Sequence, residues 1–126
     1  MNENEIDVIY DRYGAPALRL LNNGRLVTFR GESVGFLVDE NLFNYSGEYV
    51  GYFENGVMRD KNSQCVGFNE NASDYPAPFF PYTQYKPYPS YVEYEPYRPY
   101  THWVSFKPYK SFSWSDKDPI SLFSSQ

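Results

Sequence analysis

The chain is poor in two side chains on which much enzyme chemistry is built, cysteine and histidine. Its 126 residues include one cysteine, Cys65, and one histidine, His102. A single cysteine excludes an internal disulfide or a cysteine-based zinc site. As a catalytic base, His102 would need an orienting carboxylate and a nucleophile nearby, and the sequence names none. No run of 18 apolar residues exists, so no helix is expected to span a membrane. The opening Met1-Asn2-Glu3-Asn4-Glu5 lacks the basic and apolar regions of a secretory signal, and a cytoplasmic location is the expectation. Basic residues are also scarce, with 11 Lys and Arg against 16 Asp and Glu. Residues 1–74 carry 12 acids and 6 bases, and residues 75–126 carry 4 and 5. The acidic first part counts against nucleic-acid phosphate as the main partner. No glycine-rich phosphate loop or metal-ligand cluster appears, and no metal or other cofactor is expected.

Aromatic residues, by contrast, are abundant, with 14 Tyr and 10 Phe. From Phe79 every third residue is aromatic: Tyr82, Tyr85, Tyr88, Tyr91, Tyr94, Tyr97, Tyr100, Trp103, Phe106, Tyr109 and Phe112. A period of three fits neither a helix nor a strand. It fits polyproline II, with three residues per turn and a rise of about 3.1 Å. Pro78, Pro81, Pro87, Pro96, Pro99 and Pro108 each precede one of these aromatics. The third phase carries Lys86, Arg98, Lys107 and Lys110. The tract therefore reads as an extended rod with an aromatic edge, a proline edge and a mostly polar edge.

The first part of the chain repeats. Asp11-Arg12-Tyr13-Gly14, Thr28-Phe29-Arg30-Gly31, Asn44-Tyr45-Ser46-Gly47 and Asp60-Lys61-Asn62-Ser63 share the pattern of a type I turn. Their starts are spaced by 17, 16 and 16 residues. Two residues before each turn stand Ile9, Leu26, Leu42 and Met58; six after its start stand Ala17, Val34, Val50 and Val66. Leu18, Gly35, Gly51 and Gly67 follow these, and the glycines mark expected bulges or close backbone approaches. Asn22-Asn23-Gly24, Asp39-Glu40 and Asn55-Gly56 supply the alternate turns. The fold class expected is all-β: four antiparallel hairpins in pseudo-fourfold arrangement, followed by the extended tract. One hairpin cannot bury a core, whereas four around a common centre can. The expected segments are a polar lead-in (1–7), the repeat domain (8–68), a linker (69–78), the tract (79–112) and a C-terminal segment (113–126).

Ile9-Tyr10-Asp11-x-x-Gly14, the steps Val34-Gly35-Phe36, Val50-Gly51-Tyr52 and Val66-Gly67-Phe68, and the triplets ending in Ser113-Trp114-Ser115-Asp116 together resemble the 4-fold beta flower family. The resemblance covers roughly residues 8–116. It implies a small domain of four hairpin petals with no assigned activity, so no catalytic residues carry over. Leu18 and Ser63 depart from the glycine pattern, which makes the first and fourth petals the less regular ones. Tyr10-Asp11-x-x-Gly14 is also similar, as a single copy, to the YD repeats of secreted shell-forming proteins.

Asp11, Asp39, Glu54 and Asp60 recur at turns and read as turn residues. Cys65 occupies the slot of Pro16, Ser33 and Tyr49 in the other repeats and reads as structural. The function expected is a non-enzymatic interaction or scaffold subunit. Its partner-binding residues would be Tyr91, Tyr94, Tyr97, Tyr100, Trp103, Phe106, Tyr109, Phe112 and Trp114, with Phe79 to Tyr88 packed back on the petals. The partner would be a protein or a larger complex. One alternative is a tract that completes the core of its own or a sister subunit, as a homo-oligomer. Another is stacking on single-stranded nucleic acid or carbohydrate.

Overall fold

The computed structural model describes residues 4–101 and 107–124. Eight antiparallel strands follow one another around a closed barrel: β1 (Glu5–Tyr10), β2 (Pro16–Leu21), β3 (Arg25–Thr28), β4 (Ser33–Val38), β5 (Asn41–Asn44), β6 (Tyr49–Glu54), β7 (Val57–Asp60) and β8 (Cys65–Phe68). A 3-10 turn, Ser121–Phe123, is the one helical element among the described residues.

The four repeated turns share one set of bonds. A single side-chain oxygen of Asp11, Thr28, Asn44 or Asp60 accepts the N–H groups two and four residues on. The carbonyl of the same residue accepts the N–H of Gly14, Gly31, Gly47 or Ser63. Those last four residues take positive φ, which explains glycine at three of them. At the other end of the barrel, Asp39 and Asn55 take positive φ in tight two-residue turns, as hairpin chemistry requires.

A bulge recurs in each petal. Ala17, Val34, Val50 and Val66 are the extra residues, each skipped in the pairing of its petal's two strands. They join Ile9, Leu26, Leu42 and Met58 in the core. Gly35, Gly51 and Gly67 close the ladder beside the bulges, and their close approaches are genuine. A β-carbon at Gly35 would strike the Phe123 ring, at Gly51 the Arg59 carbonyl, and at Gly67 the Tyr10 carbonyl and Pro119. Leu122 and Phe123 fill the barrel from its repeated-turn end, where the Asn44 side-chain amide donates to the Phe123 carbonyl.

The closure between β1 and β8 is the weakest seam, because it has no covalent turn and one registered pair, Tyr10 with Phe68. Aromatic packing reinforces it. Phe80 stacks on Phe68 with ring centroids 4.5 Å apart, Trp114 meets both edge-on, and Arg12 lies over Trp114. The chain after the tract also pairs with β8: Cys65 donates its N–H to Ser113 and accepts one from Ser115.

Candidate interaction surface

The described residues between 75 and 112 run around the barrel. The tract meets the four repeated turns in their chain order. Gln84 donates its N–H to the Gly14 carbonyl at 2.8 Å, Glu93 to Gly31 at 3.0 Å, and Ser111 to Ser63 at 3.3 Å. At the third turn the Tyr100 carbonyl lies against Gly47. From the first turn to the second, Gln84 to Glu93, the tract advances nine residues, three full periods of the aromatic pattern. Side chains at the turns would block the belt, since a β-carbon at Gly14 or Gly31 would overlap the Tyr82 or Tyr91 carbonyl. The fourth turn carries Ser63 instead, and its hydroxyl does the anchoring: it donates to the Pro108 carbonyl at 2.8 Å and accepts from Tyr52 at 2.6 Å.

Arg59 closes the lap. It is fully buried, and its guanidinium binds Asp74 and the Pro76 carbonyl at the start of the belt and the Ser111 carbonyl at its end. Tyr75 and Phe112, at the two ends, meet edge-on with centroids 5.5 Å apart.

The three edges have separate tasks. The polar edge is turned towards the barrel, where its cations meet barrel acids. Lys86 pairs with Glu5, Lys107 with Glu54, and Lys110 with both Glu54 and Asp74 at 2.7 Å. Arg98 pairs with Glu95, donates to the Asn23 carbonyl and covers the Phe36 ring. Burial pushes the Glu54 carboxyl up, but Lys110 and Lys107 outweigh it and hold it at about 2. The hydrogen bond that Glu40 shares with Glu54 raises Glu40 instead. In the proline phase, where the residue is not proline, the backbone N–H of Gln84, Ser90, Glu93 and Ser111 bonds to the barrel.

The aromatic edge faces outward. All ten of its described members are exposed, from Phe112 at 59% to Tyr85 at 101%. Among the sequence-derived candidates, Tyr91, Tyr94, Tyr97, Tyr100, Tyr109 and Phe112 share this crown. Trp103 and Phe106, with His102, lie outside the described residues. Trp114 is half-buried in the β1–β8 seam, apart from the crown. Sequence reasoning placed Phe79 to Tyr88 on the petals and the rest away from them. The anchoring continues through Ser111, and Phe79, Tyr82, Tyr85 and Tyr88 are as exposed as the later rings. The anchors it missed left a trace: Gln84, Ser90, Glu93 and Ser111 stand where the proline phase lacks proline and so keep a backbone N–H to donate. Cys65 is buried in the barrel wall, and burial pushes its thiol up to about 12, away from any thiolate chemistry at neutral pH.

The 4-fold beta flower family matches over residues 7–123, nearly the whole chain. The chain belongs to that family. Comparison with curated proteins and with solved structures finds no match. In this beta flower the petals are the four bulged hairpins, and the tract encircles them as a belt. Among the described residues, no helix is long and apolar enough to cross a membrane.

Proposed function

We propose that this beta flower is a non-enzymatic interaction protein that docks on a protein partner through its aromatic crown. The observation that supports this reading is ten exposed rings on a backbone hydrogen-bonded to the first, second and fourth repeated turns of the barrel. Rings of this kind bury on the order of 150–250 Å² each on docking. Together they exceed the largest apolar patch of a typical monomer, about 300–600 Å². Anchoring in advance lowers the entropy lost on binding, so a larger share of the contact energy appears as affinity. Stacking on single-stranded nucleic acid fits less well, since Lys86, Lys107 and Lys110 are committed to barrel carboxylates and leave no basic stripe along the crown.

The test is chemical cross-linking and affinity capture with the native chain and a Tyr91→Ser/Tyr94→Ser/Tyr97→Ser variant. The expected result is a partner captured by the native chain and lost by the variant, with the melting temperature unchanged. Equal capture by both would sink the reading.

A further inference from the structure

We propose that the cleft between the third and fourth petals is a binding site for a small organic carboxylate with an apolar body. The site is separate from the crown, and it stands or falls independently of the docking reading.

The observation that points to it is where the unpaired cations lie. The chain has five lysines. Lys86, Lys107 and Lys110, on the belt, are all bound to barrel carboxylates. The ammonium groups of the other two, Lys61 and Lys117, have no hydrogen-bond or ion-pair partner among the described residues. Lys61 belongs to the fourth repeated turn and Lys117 to the segment after the belt, yet both line one cleft of about 390 Å³. Cations gathered on one concavity raise the local concentration of anions there.

The acids of the cleft are already engaged. Asp60 is buried; one of its carboxylate oxygens accepts the N–H groups of Asn62 and Gln64, and the other accepts the Ser115 hydroxyl at 2.7 Å. Glu48 accepts from the Asn44 amide at 2.9 Å. Both carboxylates are thereby tied to the turns, while the two lysines remain able to meet a ligand. The acids still limit its charge. A monoanion is matched by the lysines, whereas a dianion adds repulsion from Asp60 and Glu48.

The apolar half of the ligand follows from the rest of the lining. Val50 and Leu122 are core residues, and both reach the cleft beside half-buried Tyr49. Small-molecule sites have volumes of roughly 300–1,000 Å³ and combine apolar walls with a few polar groups that fix orientation. An ammonium–carboxylate pair open to water is weak alone. Affinity therefore comes from the apolar body against Val50 and Leu122, and selection of the head group from Lys61 and Lys117.

The repeat supplies an internal contrast. A second cleft, of about 420 Å³, lies between the first and second petals. There Phe29 stands in the place of Lys61, and the one cation, Arg30, is accompanied by Asp11, Glu32 and Asp118. That cleft lacks the lysine pair, so one carboxylate binds per chain.

The experiment is isothermal titration of the full chain at neutral pH with octanoate, and with octylammonium and acetate as comparators. Octanoate should bind saturably, one per chain, with a dissociation constant below about 1 mM. Octylammonium has the same tail and acetate the same head, and each should bind at least about tenfold more weakly. Methyl NMR should show Val50 and Leu122 shifting along the titration. A Lys61→Gln/Lys117→Gln variant should lose at least about tenfold in affinity with its melting temperature unchanged. Arg30→Gln and Tyr91→Ser/Tyr94→Ser/Tyr97→Ser should bind octanoate as the native chain does. No saturation, equal binding of octylammonium, shifts confined to the crown tyrosines, or an unaffected lysine variant would each overturn the inference. If the lysine variant fails to fold, the methyl shifts and the octylammonium comparison decide by themselves.

Discussion

Arg59 shows how one side chain can hold both ends of the belt. Its guanidinium is fully buried beside Asp74, also buried, and it binds carbonyls from both ends of the belt. Removing one partner of a buried ion pair leaves the other uncompensated, at a cost of about 3–5 kcal/mol. Arg59→Met should therefore lower stability by that amount in urea titration, and it should speed cleavage after belt tyrosines by a protease specific for aromatic residues. A loss under about 0.5 kcal/mol, the range of an ordinary surface substitution, would show that the clasp is dispensable. Gly31 makes the complementary point. With φ at 93° and the Tyr91 carbonyl against its α-carbon, Gly31→Ala should cost more than the roughly 1 kcal/mol of an ordinary backbone mismatch. Urea midpoints of the native chain and the variant check this, and equal midpoints would refute the contact.

At the scale of elements, belt and plug complete what short strands begin. Strands of four to six residues with glycine at three of four equivalent positions bury little apolar surface alone. Leu122 and Phe123 fill the barrel end, and Phe80 and Trp114 cover the seam where β1 and β8 share one registered pair. Leu122→Ala should cost about 2–5 kcal/mol, read as a fall in melting temperature. Deletion of residues 75–126 should leave a chain that aggregates or unfolds, as judged by circular dichroism and sedimentation. A folded, monomeric 1–74 fragment would show that the barrel closes unaided.

For the whole molecule, the contact between belt and barrel is electrostatic as well as steric, which makes it pH-dependent. Glu54 is held at about 2, below its ordinary value of 4.5, and Glu5 and Asp74 are also held below their ordinary values. Groups whose folded value is depressed contribute stability that is complete above their unfolded values and is lost as pH falls towards the folded ones. Glu40 is raised and works in the opposite sense, offsetting a part of this. The melting temperature should fall steadily from about pH 5 to pH 2, and more steeply at low salt than at high salt. A flat profile across that window would mean that the ion pairs of Glu54, Glu5 and Asp74 add nothing to the folded state.

The local features of this protein were written in its residues. Turn chemistry at Asp11, Thr28, Asn44 and Asp60 specified four petals, because each side-chain oxygen satisfies N–H groups within four residues of itself. The aromatic period put the rings on one edge of the tract, and the ten described members of that edge are exposed. Where the edges point was decided by tertiary structure. Gln84, Glu93 and Ser111 face the barrel because their free N–H groups meet carbonyls exposed at turns 48 to 70 residues earlier. Trp114 reads like another member of the aromatic row, yet it packs on Phe68 because the seam between β1 and β8 needs cover. Hydrogen bonds within a turn depend on neighbours in sequence, and a single chain displays them. The closure of the barrel, and the lap that Arg59 clasps, depend on residues brought together only when eight strands meet.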